Sequence, residues 1–201
     1  MRARSRLAFA VLAALVALGA GAQTEPAERY GHRAYAEARA EELKPAGKYR
    51  DTGRVVQLAA PAATAFQAMQ KAAAGDGVKL VPISGFRSRD YQAGLFERAV
   101  RRHGSEERAA RWVAPPGYSE HHTGLALDLG DETRADCDVQ LCFEKTAAYE
   151  WLQKNAARFG FELSFPAGRD SGPAFEPWHW RYFPAEETDK ASAGDDPERS
   201  D

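Results

Sequence analysis

The sequence predicts a single α+β domain, on three observations. Segments of strand and helix character are mixed without a regular βαβ rhythm. The 179 residues after a short leader suit one domain, and that length buries roughly two thirds of the unfolded surface. Between Ser119 and Gly130 the residues alternate. Leu125, Leu127 and Leu129 share one parity, and Ala126, Asp128 and Gly130 the other. A strand turns the leucines to the core and Asp128 to the opposite face.

Residues 1–22 read as a secretory signal. Arg2, Arg4 and Arg6 form a positive start, Leu7 to Leu18 an apolar run, and Ala20-Gly21-Ala22 a small-residue cleavage site. The run falls short of the ~20 residues of a membrane span. No cysteine follows it to carry a lipid. After cleavage the chain is expected to keep no stable membrane insertion. Residues 23–184 form the predicted domain.

Within that domain residues 33–43 read as helix and Val55–Leu58 as a strand. Pro61 suits a first helical turn, starting a helix that Gly75-Asp76-Gly77 ends. Val78–Ile83 reads as a strand. Ser88 caps a helix from Arg89 to His103, with Gly104 as its stop. Residues 112–118, with Pro115-Pro116-Gly117, form a loop, and Leu125–Leu129 a strand. Thr146 caps a helix that ends before Gly160. Phe161–Leu163 and Trp178–Phe183 complete the strands. Residues 185–201 lack an apolar core and read as a disordered acidic tail.

The chain has 27 basic and 29 acidic residues, a net charge of −2. The tail sets seven acids against Lys190 and Arg199, and the leader holds three arginines, so the domain itself is near neutral. That balance excludes the basic footprint of a nucleic-acid binder. Cys137 and Cys142 have four residues between them. In an exported protein such a pair reads as one small-loop disulfide.

The chemistry concentrates in two places. His121 lies seven residues before Asp128, across a turn that Gly124 permits. An imidazole and a carboxylate so placed are typical ligands of zinc. Five histidines offer the third ligand. His179 follows Glu176 by three residues, which a regular strand would put on opposite faces. Pro177 cannot join a strand ladder, so a bend there brings both to one cavity. Two nitrogens, one carboxylate and a free glutamate fit a catalytic zinc site with an open water position.

These residues resemble the zinc D-alanyl-D-alanine carboxypeptidases and dipeptidases of the VanY/VanX type. The family pattern SxHxxGxAxD reads Ser119-x-His121-x-x-Gly124-x-Ala126-x-Asp128, and ExxHW reads Glu176-x-x-His179-Trp180. An upstream SGxRS pattern reads Ser84-Gly85-Phe86-Arg87-Ser88. The resemblance spans about residues 84 to 183 in the family order. It implies a hedgehog/D-Ala-D-Ala peptidase-like fold, a small antiparallel sheet with flanking helices. It implies one Zn2+ held by His121, Asp128 and His179, with Glu176 as general base. Arg87 is then a catalytic and substrate-binding group, Ser119 a substrate contact, and His122 a non-ligand. His32 and His103 lie outside the motifs and are expected to face solvent.

The expected function is an exported zinc metallopeptidase of the periplasm or envelope. It would act as a monomer on peptidoglycan stem peptides ending in D-alanine. L,D-carboxypeptidase or endopeptidase action, and a non-catalytic hedgehog-like zinc domain, are the alternatives.

Overall fold

The computed structural model describes residues 26–168 and 172–184. The leader and the acidic tail lie outside these residues. The described elements run β1 (Glu28–Arg29), β2 (His32–Arg33), β3 (Leu43–Lys48), β4 (Val55–Ala59), α1 (Ala60–Gly75), β5 (Leu80–Ser84), α2 (Arg89–His103), α3 (Glu106–Ala110), β6 (Ala126–Asp131), α4 (Ala147–Asn155), β7 (Phe161–Leu163) and β8 (His179–Tyr182). The architecture is α+β.

Its centre is an antiparallel sheet in the order β5-β6-β8-β7. A second antiparallel pair, β3-β4, packs with α1. The expected alternation holds in β6. Leu127 and Leu129 are fully buried in the core with Phe66, Met69, Phe143 and Phe161. Each such side chain contributes about 1.5–3 kcal/mol by leaving water. Asp128 and Ala126 take the other face and are buried as well. Pro82 lies in β5, at the sheet edge, where a missing N–H breaks no inner ladder. The pairing of β5 with β6 shifts between Pro82 and Ser84, so Ser84 rather than Ile83 stands opposite Asp128. Such an irregularity re-aims a side chain at a strand end.

The helix signals in the sequence hold well. The Ser88 hydroxyl accepts from Tyr91 N at 3.2 Å, and the backbone at Gly104 turns left-handed to end α2. The Thr146 hydroxyl accepts from Tyr149 N and opens α4. A short 3₁₀ turn follows α4 and stops at Gly160.

The segment from 33 to 43 departs from expectation. It is no α-helix: it leaves β2 extended and closes in one 3₁₀ turn, Ala40–Glu42. Tertiary hydrogen bonds override its helical composition. Tyr35 N donates to Gly117 O at 2.9 Å, and Ala38 N to His122 O at 2.8 Å. The segment thus braces the loop that carries the first motif.

The Cys137–Cys142 disulfide is formed. Beside it, Asp138 accepts two hydrogen bonds from Arg50, at 2.7 and 2.8 Å, and one from Tyr49 at 3.0 Å. Among the described residues no helix is long and apolar enough to cross a membrane.

Candidate active site

Sheet register builds the site. On β6, Asp128 pairs with His179 of β8 on one side and Ser84 of β5 on the other. Antiparallel partners stand about 4.5–5.5 Å apart at Cβ, so Asp128 and His179 meet directly. His121 arrives from the 3₁₀ turn Glu120–Thr123, which Gly124 ends with a left-handed backbone. A Cβ on Gly124 would lie 2.8 Å from Ala59 N, so the turn packs onto β4 only as glycine. Gly85 is as constrained, since a Cβ there would lie 2.2 Å from Gln57 O. That close approach puts Gly85 O at 2.7 Å from His121 Nδ1.

His121 and His179 are held in opposite senses. His121 Nδ1 donates to the Gly85 carbonyl, leaving Nε2 at 3.3 Å from Asp128 Oδ1. His179 Nε2 donates to Glu120 Oε2 at 2.9 Å, leaving Nδ1 at 3.1 Å from Asp128 Oδ1. The rings cross edge to face with centroids 4.8 Å apart. In neutral rings both inward nitrogens are bare and face a carboxylate oxygen. Three acceptors converging in a buried space need a cation between them. Donor atoms of His121, Asp128 and His179 all lie within 4.8 Å of one another. This donor set fits a zinc ion, with a carbonyl and a carboxylate fixing the outer ring nitrogens.

Electrostatics agree with that arrangement. Burial lowers His121 to about 4, and the Arg87 charge adds to the effect. Burial would also lower His179, but hydrogen bonds to Asp128 and Glu120 override it and push it up to about 10. Burial opposes ionisation of Asp128, yet the adjacent His121 and the Arg87 charge hold its carboxyl well below the usual range. Without a metal the cluster therefore keeps one proton on His179, which a cation would displace.

Glu176 joins the same cavity. A turn closed by His179 N donating to Glu176 O at 3.1 Å replaces regular strand at Pro177-Trp178. The Glu176 carboxylate then lies 3.8 Å from His179 Nδ1. Burial raises it to about 7, where a general base for neutral pH belongs. A cavity of about 470 Å³ opens over it and also reaches Arg87, Ser119, His121, Asp128 and His179.

Arg87 spans Ser84 and Asp128. Its Nε donates to Ser84 Oγ at 2.9 Å, and its guanidinium pairs with Asp128 Oδ2. Ser119 is buried in the cavity wall. His122 is used up by backbone: Nδ1 donates to Arg87 O at 2.7 Å, and Nε2 accepts from Gly117 N at 3.0 Å.

Two residues depart from the sequence reading. His32 is buried, not solvent-facing: Nε2 lies 2.7 Å from the carbonyl of Ala110, the last residue of α3. His103 is half-buried and stacks on Trp112 with centroids 6.3 Å apart. Glu120 had no assigned role, yet it holds His179. Burial would raise its carboxyl, but the hydrogen bond and charge of His179 hold it at about 2. Tyr35 Oη donates to Glu120 Oε1 at 3.2 Å, and Arg181 Nη1 lies 3.5 Å from that oxygen. Its one sequence cue is its place beside His121 in the motif.

An antiparallel sheet presenting a buried His–Asp–His cluster, with a glutamate alongside in an open cavity, has the build of a mononuclear metal site. The chain belongs to the VanY family: the family profile, described as D-alanyl-D-alanine carboxypeptidase, matches residues 55–185. It is 32% identical over 129 residues to the D-alanyl-D-alanine carboxypeptidase of Enterococcus faecalis (strain ATCC 700802 / V583), covering 59% of this chain and 46% of that protein. It is 34% identical over 104 residues to the bifunctional D-Ala-D-Ala dipeptidase and D-Ala-D-Ala carboxypeptidase VanXYC of Enterococcus gallinarum, covering 50% of this chain and 54% of that protein. The chain thus spans about half the length of the curated relatives it matches. Among solved structures it is similar to the LdcB LD-carboxypeptidase, with a TM-score of 0.67 and 30% identity over 79% of this chain and 74% of that one. It is also similar to a variant of the vancomycin resistance D,D-pentapeptidase VanY in complex with Zn(II), with a TM-score of 0.58 and 28% identity over 76% of this chain and 84% of that one.

Proposed function

We propose that this protein is an exported zinc metallopeptidase that removes the terminal D-alanine of peptidoglycan stem peptides. The observation that carries the reading is the convergence of His121 Nε2, Asp128 Oδ1 and His179 Nδ1 beside Glu176. Residues 1–22 direct export, residues 23–184 form the catalytic domain, and the acidic tail follows. The mature protein works as a monomer in the periplasm or cell envelope.

A zinc ion held by His121, Asp128 and His179 would polarise the scissile carbonyl and bring the pKa of its water to about 7. Glu176 takes the proton of the attacking water and returns it to the leaving amine. Its burial supports that role, since a desolvated carboxylate near neutral pKa both accepts and releases a proton. Arg87 offsets negative charge developing on the substrate, held in place by Ser84. Ser119 holds the substrate end. Glu120 fixes the ring of His179 with its Nδ1 turned inward. A retained Glu176 speaks against a purely structural metal domain.

Purified muropeptides incubated with the zinc-loaded mature protein, followed by mass spectrometry, test the proposal. Loss of one alanine from pentapeptide stems is expected. The L,D reading, favoured by the likeness to LdcB, predicts instead the loss of alanine from tetrapeptide stems. Release of cross-linked dimers would mean an endopeptidase. Unchanged muropeptides would refute all three.

A further inference from the structure

Behind the metal cluster lies a second cavity of about 590 Å³. It shares His32, Glu120 and Phe165 with the cavity over Glu176, so these three form a wall between the two. Glu120 is the carboxylate of that wall, and its Oε2 holds the His179 ring at 2.9 Å. What fixes the other oxygen, Oε1, therefore bears on the ring.

Two groups meet Oε1. Tyr35 Oη donates to it at 3.2 Å, and Arg181 Nη1 lies 3.5 Å away. Arg181 stands on β8 two residues after His179, so both side chains leave the same face of the strand. The register sets it opposite Ala126 of β6, a small neighbour. Its guanidinium lies against two rings, 5.0 Å from the Tyr35 centroid and 5.3 Å from that of Phe183.

The Arg181 side chain is only 12% exposed, yet its Nε and Nη1 make no hydrogen bond with the described residues. Buried polar groups are normally bonded, so this one calls for a reason. Packing supplies none, because an apolar chain of similar length would meet both rings without the cost of burying a charge. What such a chain lacks is the charge itself, and that charge faces Glu120. Arg181 lines the rear cavity and not the one over Glu176, so it stands away from the substrate space.

We propose that Arg181 is a positioning residue for the metal: its charge keeps the Glu120 carboxylate turned to His179, and Glu120 in turn presents His179 Nδ1 to the ion. This rests on the zinc reading given above. Two effects of the Arg181 charge oppose one another. Acting directly, it repels a dication, and its removal would tighten zinc binding. Acting through Glu120, it compensates a buried carboxylate, and its removal weakens zinc binding. The second prevails, since the contact with Glu120 is the close one and charge effects fall with distance.

The test measures zinc affinity by chelator competition on the mature protein. Arg181→Met should bind zinc about tenfold more weakly, the lower end for outer partners of a metal ligand. Arg181→Gln, a second neutral variant that keeps donors in the slot, should fall as far even if the methionine variant folds poorly. Arg181→Lys returns the charge and should recover most of the loss. The comparison that separates positioning from packing repeats Arg181→Met in a Glu120→Gln background. A loss carried by the Glu120 charge disappears there, leaving a further change under about twofold. A packing role would instead lower the melting temperature and weaken zinc equally in both backgrounds. That outcome, unchanged affinity in both neutral variants, or tighter binding from relieved repulsion would each overturn the proposal. Wild-type protein that binds no zinc would refute the metal reading and this role with it. Zinc bound without any turnover would count against the peptidase reading alone, since the affinities still decide the role of Arg181.

Discussion

His179 donates its Nε2–H to Glu120 at 2.9 Å and turns its Nδ1 to Asp128 at 3.1 Å. One carboxylate thereby selects the tautomer that another carboxylate's neighbour needs. Glu120→Gln keeps size and one acceptor but drops the charge. Outer partners of this kind typically contribute 10–100-fold in metal affinity. Zinc affinity, measured by chelator competition, is expected to fall by about that factor. Affinity equal to wild type would leave Glu120 a packing residue.

Glu176→Gln should separate metal binding from chemistry. Its carboxylate sits 3.8 Å from His179 Nδ1 and outside the three-residue cluster. Zinc content should hold while turnover falls ~10²–10⁴-fold. Lost zinc would make Glu176 a ligand, and retained turnover would place the base elsewhere.

His179→Ala and His122→Ala should behave differently although both rings are buried. The first removes a donor that faces Asp128, so bound zinc should drop below one equivalent. The second removes a ring bound at both nitrogens by backbone. It leaves the Arg87 carbonyl and Gly117 N–H without partners, costing about 1–3 kcal/mol each. A lower melting temperature with zinc retained is the expected result, and elemental analysis of the two proteins decides it.

The metal-free protein should lose stability as pH rises. Burial opposes the His179 charge, but Asp128 and Glu120 raise its folded pKa to about 10. A raised basic pKa contributes stability below the unfolded value of about 6.5. That contribution is lost as pH climbs toward 10. Burial of Glu176, raised to about 7, acts in the same direction, because its ionisation is disfavoured in the fold. Melting temperatures of chelator-treated protein from pH 6 to about pH 10 should fall, and zinc should flatten the curve. A metal-free melting temperature that rises with pH would contradict these assignments.

Much of the site was legible because its residues lie in short local patterns. Alternation around Asp128 reported its face, and Pro177 reported the bend that joins Glu176 to His179. The caps at Ser88 and Thr146 are local and were equally readable. What was hidden depends on distant chain. Residues 33–43 have helical composition, but bonds to Gly117 and His122 pull them straight. The β3 strand contains Pro45 and Gly47 and gave no strand pattern. Glu120 was passed over because adjacent side chains diverge, and its partner His179 is 59 residues away. The burial of His32 depends on Ala110, 78 residues on.

If the cluster holds zinc as proposed, the pairing of Asp128 with both Ser84 and His179 makes metal content a gauge of strand alignment. A one-residue slip of β6 against β8 would place Leu127 or Leu129 beside His179 and turn Asp128 into the core. Such a molecule could keep much of its secondary structure while having no three-donor cluster. Refolded preparations that look native by circular dichroism but bind less than one zinc per chain would therefore contain misaligned sheets. The shortfall in stoichiometry would count them.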